Sequence, residues 1–241
     1  MWSAWRAASR RDPEQARFVT LASLRWVLRH RAVTPWYLRR YWRLLRFRVL
    51  NPHVVLRGMV FLGRDVELRC RPGYGRLEVG RWVHVGDGTS VRCHEGSLRI
   101  GDKVVLGARD VVNCYLDVEI GAAALVADGV YVVDFDHRTE DVHLPIKDQG
   151  IVKSPVRIGP GSWLGTGVAV LRGSTVGRGC VVGAHAVVRG ELPDHTVAVG
   201  SPARVVRDRV ADHAAAADER AAVADMARKS ADAVARRLRR L

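Results

Sequence analysis

A repeat of six residues constrains this chain more than any other feature of its sequence. Between Val156 and Gly190 an aliphatic residue occurs at every sixth position, namely Ile158, Leu164, Val170, Val176, Val182 and Val188. A small or apolar residue stands two positions before each of them. A helix has a period of 3.6 residues and a strand a period of 2, so neither alone explains this spacing.

The same spacing extends upstream in blocks of three aliphatic residues, which begin at Leu56, Val79, Ile100 and Ile120. With the two blocks after Val156, the chain holds six blocks, each made of three hexapeptides. A coil that closes after three hexapeptides, with three equal sides, predicts a triangular prism. Coils stacked as parallel strands about 4.8 Å apart give a rod on the order of 29 Å long. We therefore predict an all-β core, a parallel β-helix of about six triangular coils.

Extra residues between the blocks all fall at one point of the coil. Within a block the step is always six positions, whereas four of the five steps between blocks are longer. The insertions must therefore leave from the edge that follows the third strand. The longest, from about Asp134 to Pro155, is predicted to be a projecting loop. Long loops on rigid scaffolds commonly carry function.

The formal net charge of +14 belongs to the two ends of the chain. Residues 1–50 carry +10 and residues 201–241 carry +4, whereas residues 51–200 are neutral. A nucleic-acid-binding core would be expected to carry its own basic face, so no nucleic-acid partner is predicted. We divide the chain into a basic, Trp-rich helical extension (1–52), the β-helix domain (53–207, with a functional loop at about 134–155) and a C-terminal helix (208–241).

The N-terminal extension predicts a helix that starts at Thr34-Pro35 and ends at Asn51-Pro52, and a weaker one over residues 13–30. The first of these has an apolar stripe at Leu38, Tyr41, Trp42, Leu45 and Val49. Two interpretations stay open. The helices through residue 50 contact anionic lipid, or they cap the open end of the prism while their arginines are solvated. The C-terminal helix is expected to serve oligomer packing.

Cysteine use and hydropathy predict the compartment. The four cysteines form no CxxC pair and are too sparse for a disulfide framework. No apolar run is long enough to predict a membrane span, and the first residues lack the features of a secretory signal. We predict a cytoplasmic protein, peripheral on the inner face of the membrane if the lipid interpretation holds.

Three features together resemble the left-handed β-helix acyltransferases, in particular the maltose, galactoside and xenobiotic O-acetyltransferase branch. They are the hexapeptide repeat with "AVGSPARVVR", the loop "DFDHRTEDVHLPIKD", and "PVRIGPGSWLGTG" directly after it. The resemblance covers roughly residues 54–207 and neither tail. It implies left-handed winding, acetyl-CoA or another acyl-CoA as co-substrate, no metal, and a homotrimer with each active site between two neighbouring prisms.

The resemblance implies that His137 is the general base. In the family, the loop histidine at this place takes the proton from an acceptor hydroxyl, which attacks the thioester carbonyl of acetyl-CoA. An unperturbed pKa of about 6.5 leaves a histidine mostly neutral at cytosolic pH, as this role requires. His143 is the competitor in the same loop and is expected to be structural. Asp136, the second predicted catalytic residue, and Asp134, a predicted substrate ligand, could orient the imidazole or hold sugar hydroxyls.

The resemblance also implies the CoA contacts. Thr166 matches a position that meets the pantetheine, and Ala184 matches a backbone contact one coil further along. Their separation equals three hexapeptides, one full turn, so both share an edge. Arg204 and Arg207 match cationic positions placed for the nucleotide's phosphates, for which a guanidinium is well suited.

Two further CoA-side residues and the acceptor side are less specific. Arg189 stands where relatives have a hydroxyl residue. Trp163 must point out of the prism, and stacking on CoA or packing on a neighbouring subunit both stay open. Asn113, Tyr115 and Asp117 lie one coil before the loop and are candidate ligands for sugar hydroxyls, although each could equally be a polar corner residue.

The function predicted is transfer of an acetyl or other short acyl group from CoA to a hydroxyl of a sugar, polysaccharide or glycolipid. One alternative is a sugar-nucleotide N-acetyltransferase, which shares the cofactor but has an amine acceptor. Another is a non-catalytic β-helix scaffold at the membrane surface. A zinc-dependent carbonic anhydrase of the same fold would need three converging histidines, and the histidines here do not fall in that arrangement.

Overall fold

The computed structural model describes residues 20–216 together with residues 218, 220, 223 and 226. Three sheets form its core, with strands numbered in chain order. Sheet A contains β1 (Val55–Leu56), β4 (Gly75–Val79), β7 (Gly96–Ile100), β10 (Asp117–Ile120), β15 (Val156–Ile158), β18 (Thr175–Val176) and β21 (Glu191–Leu192). Sheet B contains β2 (Val60–Leu62), β5 (Val83–Val85), β8 (Val105–Leu106), β11 (Leu125–Val126), β16 (Trp163–Leu164), β19 (Val181–Val182), β22 (Thr196–Val199) and β23 (Arg204–Asp208). Sheet C contains β3 (Glu67–Cys70), β6 (Ser90–Cys93), β9 (Val111–Cys114), β12 (Tyr131–Val133), β17 (Ala169–Val170) and β20 (Val187–Val188).

The chain visits sheets A, B and C in turn, and each circuit makes one coil of a parallel β-solenoid. The six predicted coils are confirmed. In sheet A, Leu56 pairs with Val79, Val79 with Ile100, and Ile100 with Ile120, as the six-residue spacing requires. A partial seventh coil, β21 and β22, was not predicted. The step from Val188 to Leu192, the inward residue of β21, is four positions instead of six, because the last corner is short.

The inward positions explain why this sequence adopts this fold. The repeated aliphatic residues are buried, and so are the residues two places before them, except that Val66 is partly buried. Two of those are serines whose hydroxyls donate to backbone carbonyls, Ser162 to Gly177 at 2.7 Å and Ser174 to Val188 at 3.0 Å. Buried hydroxyls paired in this way cost little. Gly165 is required at its corner, because a Cβ there would lie 2.7 Å from the backbone nitrogen of Ala184 on the next coil.

The longest insertion leaves the solenoid between sheets C and A, at the edge that we call the C–A edge. It contains an antiparallel hairpin of β13 (Phe135–His137) and β14 (Ile151–Lys153). A 3₁₀ turn over Ile146–Asp148 lies near its tip. The loop therefore has a two-stranded base, and its outer part carries the short 3₁₀ turn.

Two helices precede the solenoid, α1 (Leu21–Arg29) and α2 (Pro35–Leu50). The predicted start and end of α2 are confirmed, with Thr34 at the N-cap, Pro35 at the first position and Asn51 at the C-cap. The weaker predicted helix is present from Leu21, and residues 13–19 lie outside the described residues. Residues 209–216 are helical after β23, and most of the predicted 208–241 helix lies outside the described residues.

Helix α2 covers the first strand of sheet B with one face and leaves another face open. Leu44 is buried there, and Arg40 and Arg43 donate to the carbonyls of Phe61 and Leu62 at 3.3 and 3.2 Å. These two capping arginines are bound to backbone rather than solvated. The exposed side carries four apolar residues, here called the α2 stripe: Leu38, Trp42, Leu45 and Val49. No helix in the described ranges is long and apolar enough to cross a membrane.

Candidate active site

Asp134 fixes the point at which the loop leaves the solenoid. Its side chain is fully buried. One carboxylate oxygen accepts a 2.8 Å hydrogen bond from the backbone N–H of Tyr115, and the other accepts 2.8 Å bonds from those of Leu116 and Asp117. These three bonds give both oxygens of the buried carboxylate a hydrogen-bond partner. Asp134, a predicted substrate ligand, is thus committed to holding the preceding corner of the solenoid.

The base of the hairpin is also tied to the coil that follows it. Arg172 donates from Nε to Asp136 Oδ2 at 2.9 Å and from Nη1 to Ser154 Oγ at 3.3 Å. Strand residues alternate between faces, so Asp136 lies on the opposite face of the hairpin from His137. Within one protomer, the structure therefore brings Asp136 to Arg172 and not to the imidazole that it was predicted to orient.

His137 belongs to a line of rings along the C–A edge, here called the aromatic row: His94, Tyr115, Phe135 and His137. His94 stacks on Tyr115 with centroids 4.6 Å apart, and Phe135 meets Tyr115 edge-on, also at 4.6 Å. The His137 ring lies edge-on to Phe135 at 6.3 Å and is exposed. Sequence reasoning missed His94 and Phe135. The signal was available, because His94 and Tyr115 each directly follow a buried cysteine that ends a sheet C strand.

The tip of the loop is ordered by Gln149. Its amide donates to the carbonyls of Asp141 and Leu144 at 2.7 and 2.8 Å, and its oxygen accepts from the Asp141 N–H at 3.1 Å. His143 stands in this tip, and its N–H donates to Asp141 Oδ1 at 2.8 Å. The tip also exposes three apolar side chains, Val142 (85% exposed), Leu144 and Ile146.

The two other predicted substrate ligands have different surroundings. Oδ1 of Asn113 is buried and has no hydrogen-bond partner within the described part of the chain. An unpaired buried acceptor is costly. Asp117 instead accepts from Arg99 at 3.0 Å and from Arg157, within the charged outer face of sheet A. Its carboxylate is thereby already neutralised.

The predicted pantetheine contacts lie together on another edge, between sheets B and C. Thr166 and Ala184 are exposed on successive coils. The N–H of His185, next to Ala184, donates to the carbonyl of Thr166 at 2.8 Å. The path beside these residues therefore runs parallel to the solenoid axis. This B–C edge is separated from the C–A edge of His137 by the whole width of sheet C.

The predicted cationic residues are spread over two places. Arg204 and Arg207 are exposed on β23, the antiparallel strand at the C-terminal end of sheet B. Arg204 donates to the Ala203 carbonyl, and Arg207 pairs with Asp212 at 2.8 Å. Arg189 directly follows β20 and is exposed at the C-terminal end of sheet C.

Trp163 lies on the outer face of sheet B in a row of apolar residues, one from each coil from the third onward. The outer row of sheet B consists of Val105, Leu125, Trp163, Val181 and Val197. Trp163 is 48% exposed and Leu125 is comparably open. The outer face of sheet A, in contrast, carries paired charges such as Arg99 with Glu119. Sheet B is therefore the face suited to contact another apolar surface.

No cluster of three or more His, Cys, Asp or Glu suited to a metal occurs among the described residues.

Comparison with known proteins places this fold in a family. The model described as "Bacterial transferase hexapeptide (six repeats)" matches residues 155–190. A probable acetyltransferase of Mycobacterium tuberculosis is 60% identical over 240 residues, which is 96% of this chain and 80% of that protein. A putative lipopolysaccharide biosynthesis O-acetyl transferase of Escherichia coli is 37% identical over 97 residues, 37% of this chain and 50% of that protein.

A solved structure shares the fold at low identity. It is a mutant of AntD, an N-acyltransferase from Bacillus cereus, in complex with dTDP and coenzyme A. The TM-score is 0.56 at 16% identity, over 73% of this chain and 94% of that one, and this likeness shows the fold alone. The mycobacterial relative carries the stronger argument, because its 60% identity extends over four-fifths of its length. The chain therefore belongs to the hexapeptide-repeat acetyltransferases and is an acyltransferase.

Proposed function

We propose that this protein transfers an acetyl or other short acyl group from CoA to a hydroxyl of a saccharide or glycolipid, with His137 as general base. The observation that carries the proposal is the placement of His137. It stands on a hairpin anchored on both sides, by Asp134 to one coil and by Arg172 to another, and its imidazole is open to solvent. A general base must be both held in place and accessible.

The reaction follows from that placement. The imidazole of His137 takes the proton from the acceptor hydroxyl as its oxygen attacks the thioester carbonyl. The new C–O ester bond forms, the C–S bond breaks, and the imidazolium returns the proton to the departing CoA sulfur. Asn113, one coil before the loop on the outer face of sheet C, is a candidate ligand for a second hydroxyl of the sugar. Asp134 and Asp136 act as positioning residues, because their carboxylates hold the loop.

The acyl-CoA fits the B–C edge. Thr166 and Ala184 would meet the pantetheine, since both are exposed and lie one coil apart along the axis. Arg204, Arg207 and Arg189 lie towards the C-terminal end, where they would bind the nucleotide phosphates. Trp163 is on β16, which leads into the corner that carries Thr166, so it stands beside this path.

The separation of the two edges supports a homotrimer. His137 and Thr166 are on opposite sides of sheet C in one protomer, so a thioester at one edge needs the base of a neighbouring copy. Two exposed apolar surfaces suit such a contact: the outer row of sheet B and the loop tip at Val142, Leu144 and Ile146. Apolar patches of this kind commonly mark interfaces.

The N-terminal helices support peripheral contact with an anionic membrane from the cytoplasmic side. The α2 stripe falls on one side of the helix, directly opposite Leu44 and the capping arginines, and Trp42 is 66% exposed. Arg39 and Arg46 lie beside the stripe. An apolar ridge flanked by arginine is typical of interfacial helices. Capping and lipid contact are thus compatible, since they use different faces.

The test is mass spectrometry of candidate saccharides and amino sugars incubated with the protein and acetyl-CoA. We expect esters on hydroxyl groups. An amide product on amino sugars, with a rate that rises as the amine deprotonates, would instead establish the sugar-nucleotide N-acyltransferase alternative. Vesicle binding without any transfer would support the scaffold alternative.

A further inference from the structure

A cavity of about 490 Å³ lies on the outer side of sheet C and its C–A edge, over the first two coils. Its lining includes the arginines Arg69, Arg71 and Arg92 together with Glu67 and His94. We call this cavity the anion pocket. Three guanidinium groups against one carboxylate leave two net positive charges. Arg69 and Arg92 both form ion pairs with the carboxylate of Glu67, from Nε of Arg69 at 2.6 Å and from Nη2 of Arg92 at 2.8 Å.

The pocket is held in shape by its own contacts. Glu67 accepts from Arg92 and from Ser90, and these hydrogen bonds hold the pKa of Glu67 below its usual value. It therefore stays ionised and fixes both guanidinium groups. Arg71 lies over the ring of Tyr74, 3.9 Å from its centroid. Arginines oriented in advance lose little freedom when they bind an oxyanion.

The anion pocket is continuous with the proposed acceptor site. His94 lines the pocket and is the first ring of the aromatic row that ends at His137. On the outer face of sheet C, Arg92 is the register neighbour of Asn113. The corners that carry His94 and Phe135 are two coils apart, which is a distance of about 10 Å along the solenoid axis. A chain of sugar rings laid on the aromatic row would join the two places.

We propose that the anion pocket binds an oxyanion carried by the saccharide acceptor, a phosphate or a carboxylate, one or more sugar units away from the hydroxyl that is acylated. This inference rests on the proposed O-acyl transfer and names the class of its substrate, an anionic oligosaccharide or glycolipid headgroup. Arginine recognises phosphate and carboxylate through paired N–H donors, so both sources share one chemistry.

The experiment compares pairs of oligosaccharides that differ only in a terminal phosphate or a terminal carboxylate. The measured quantity is the ratio of kcat/KM for the anionic and neutral member of each pair. We expect a ratio of about 10 to 100 for the intact protein, the range given by charge-assisted hydrogen bonds. The two pair types distinguish phosphate from carboxylate.

Variants locate the effect. Arg71→Gln/Arg92→Gln should bring the ratio close to one, and Arg71→Gln alone, which leaves the ion pairs of Glu67 intact, should lower it several-fold. Arg81→Gln, which breaks the comparable exposed pair with Asp102 on another edge, should keep the full ratio.

The outcomes distinguish failure of the proposed O-acyl transfer from failure of the anion pocket. No transfer to any hydroxyl contradicts the proposed function itself. Transfer with equal kcat/KM within both pairs overturns the anion pocket alone. A ratio that survives in the double variant also overturns it, as does a double variant whose only defect is weaker CoA binding, because the pocket would then serve the cofactor.

Discussion

Asp134 accepts a 2.8 Å hydrogen bond from the backbone N–H of Tyr115, and this contact ties the projecting loop to the coil before it. We expect Asp134→Ala to lower the free energy of unfolding by about 2–4 kcal/mol, since three backbone N–H groups lose their acceptor. Turnover should fall as well, because the hairpin loses an anchor. Asp134→Asn keeps one acceptor oxygen, so its free energy of unfolding should lie between those of the parent and of Asp134→Ala. Denaturant unfolding at fixed protein concentration measures this, and an Asp134→Ala protein as stable as the parent would contradict the anchor.

His137→Ala should reduce kcat by about 10²–10⁴-fold, the usual contribution of a positioned general base. The dissociation constant for CoA should hardly change, because the CoA path lies on the other edge. His143→Ala, in the ordered tip of the same loop, is the matched control and should retain most of the activity. Single-turnover kinetics and calorimetric CoA titration separate the two effects. The reverse ranking of the two histidines would move the base to His143.

Mixed oligomers test whether the site is shared between copies. Ala184→Trp should block the pantetheine path, and His137→Ala removes the base, so each variant alone should be nearly inactive. If base and cofactor edge come from neighbouring subunits, a 1:1 mixed trimer should regain about one quarter of the parental activity. If both come from one chain, co-expression should restore none. Light scattering on the same samples gives the subunit number.

The α2 stripe predicts vesicle binding. Trp42→Ser/Leu45→Ser should weaken binding to anionic vesicles by at least about tenfold, since two apolar side chains no longer enter the interface. Val205→Ser/Val206→Ser removes two exposed apolar residues at the opposite end of the solenoid and should have no such effect. Vesicle co-sedimentation at two salt concentrations measures both the apolar and the arginine contribution. Equal binding by both variants would leave α2 with its capping role alone.

Asp110 predicts a pH dependence of stability. It is fully buried, and this burial raises its pKa to about 7. The folded protein therefore binds this proton more tightly than the unfolded chain, whose pKa is about 3.9. Stability should fall as pH rises from about 4 to 7 and level off above, by at most about 4 kcal/mol from this group. Asp110→Asn should remove that slope in denaturant unfolding between pH 5 and 8. If the slope of stability against pH is unchanged in Asp110→Asn, the pH dependence comes from other groups.

The repeat determines the fold because each inward residue has its counterpart one coil away, so Ile158 above Ile120 could be predicted by counting. Side-chain partners could not be predicted, because they depend on where separate corners meet. Asp134 was predicted as a substrate ligand and is occupied by backbone N–H groups. Asp136 faces Arg172, which is distant in the sequence, and no spacing rule connects them. The predicted apolar stripe is exposed except for Tyr41, whose hydroxyl donates to the Ala32 carbonyl at 3.1 Å, and the direction of the stripe depends on Leu44 packing into the solenoid.

The two ends of sheet B are covered by different means, and this limits how further strands can add to that sheet. At the first coil, α2 covers β2 and its arginines bind β2 carbonyls. At the last, β23 runs antiparallel along β22, and the N–H of Ala203 donates to the carbonyl of Val187. Open ends of stacked parallel strands are templates for further strands. With both ends of sheet B covered in this way, the first and last strands of that sheet are less open to pairing with another solenoid, even though the coils are nearly interchangeable.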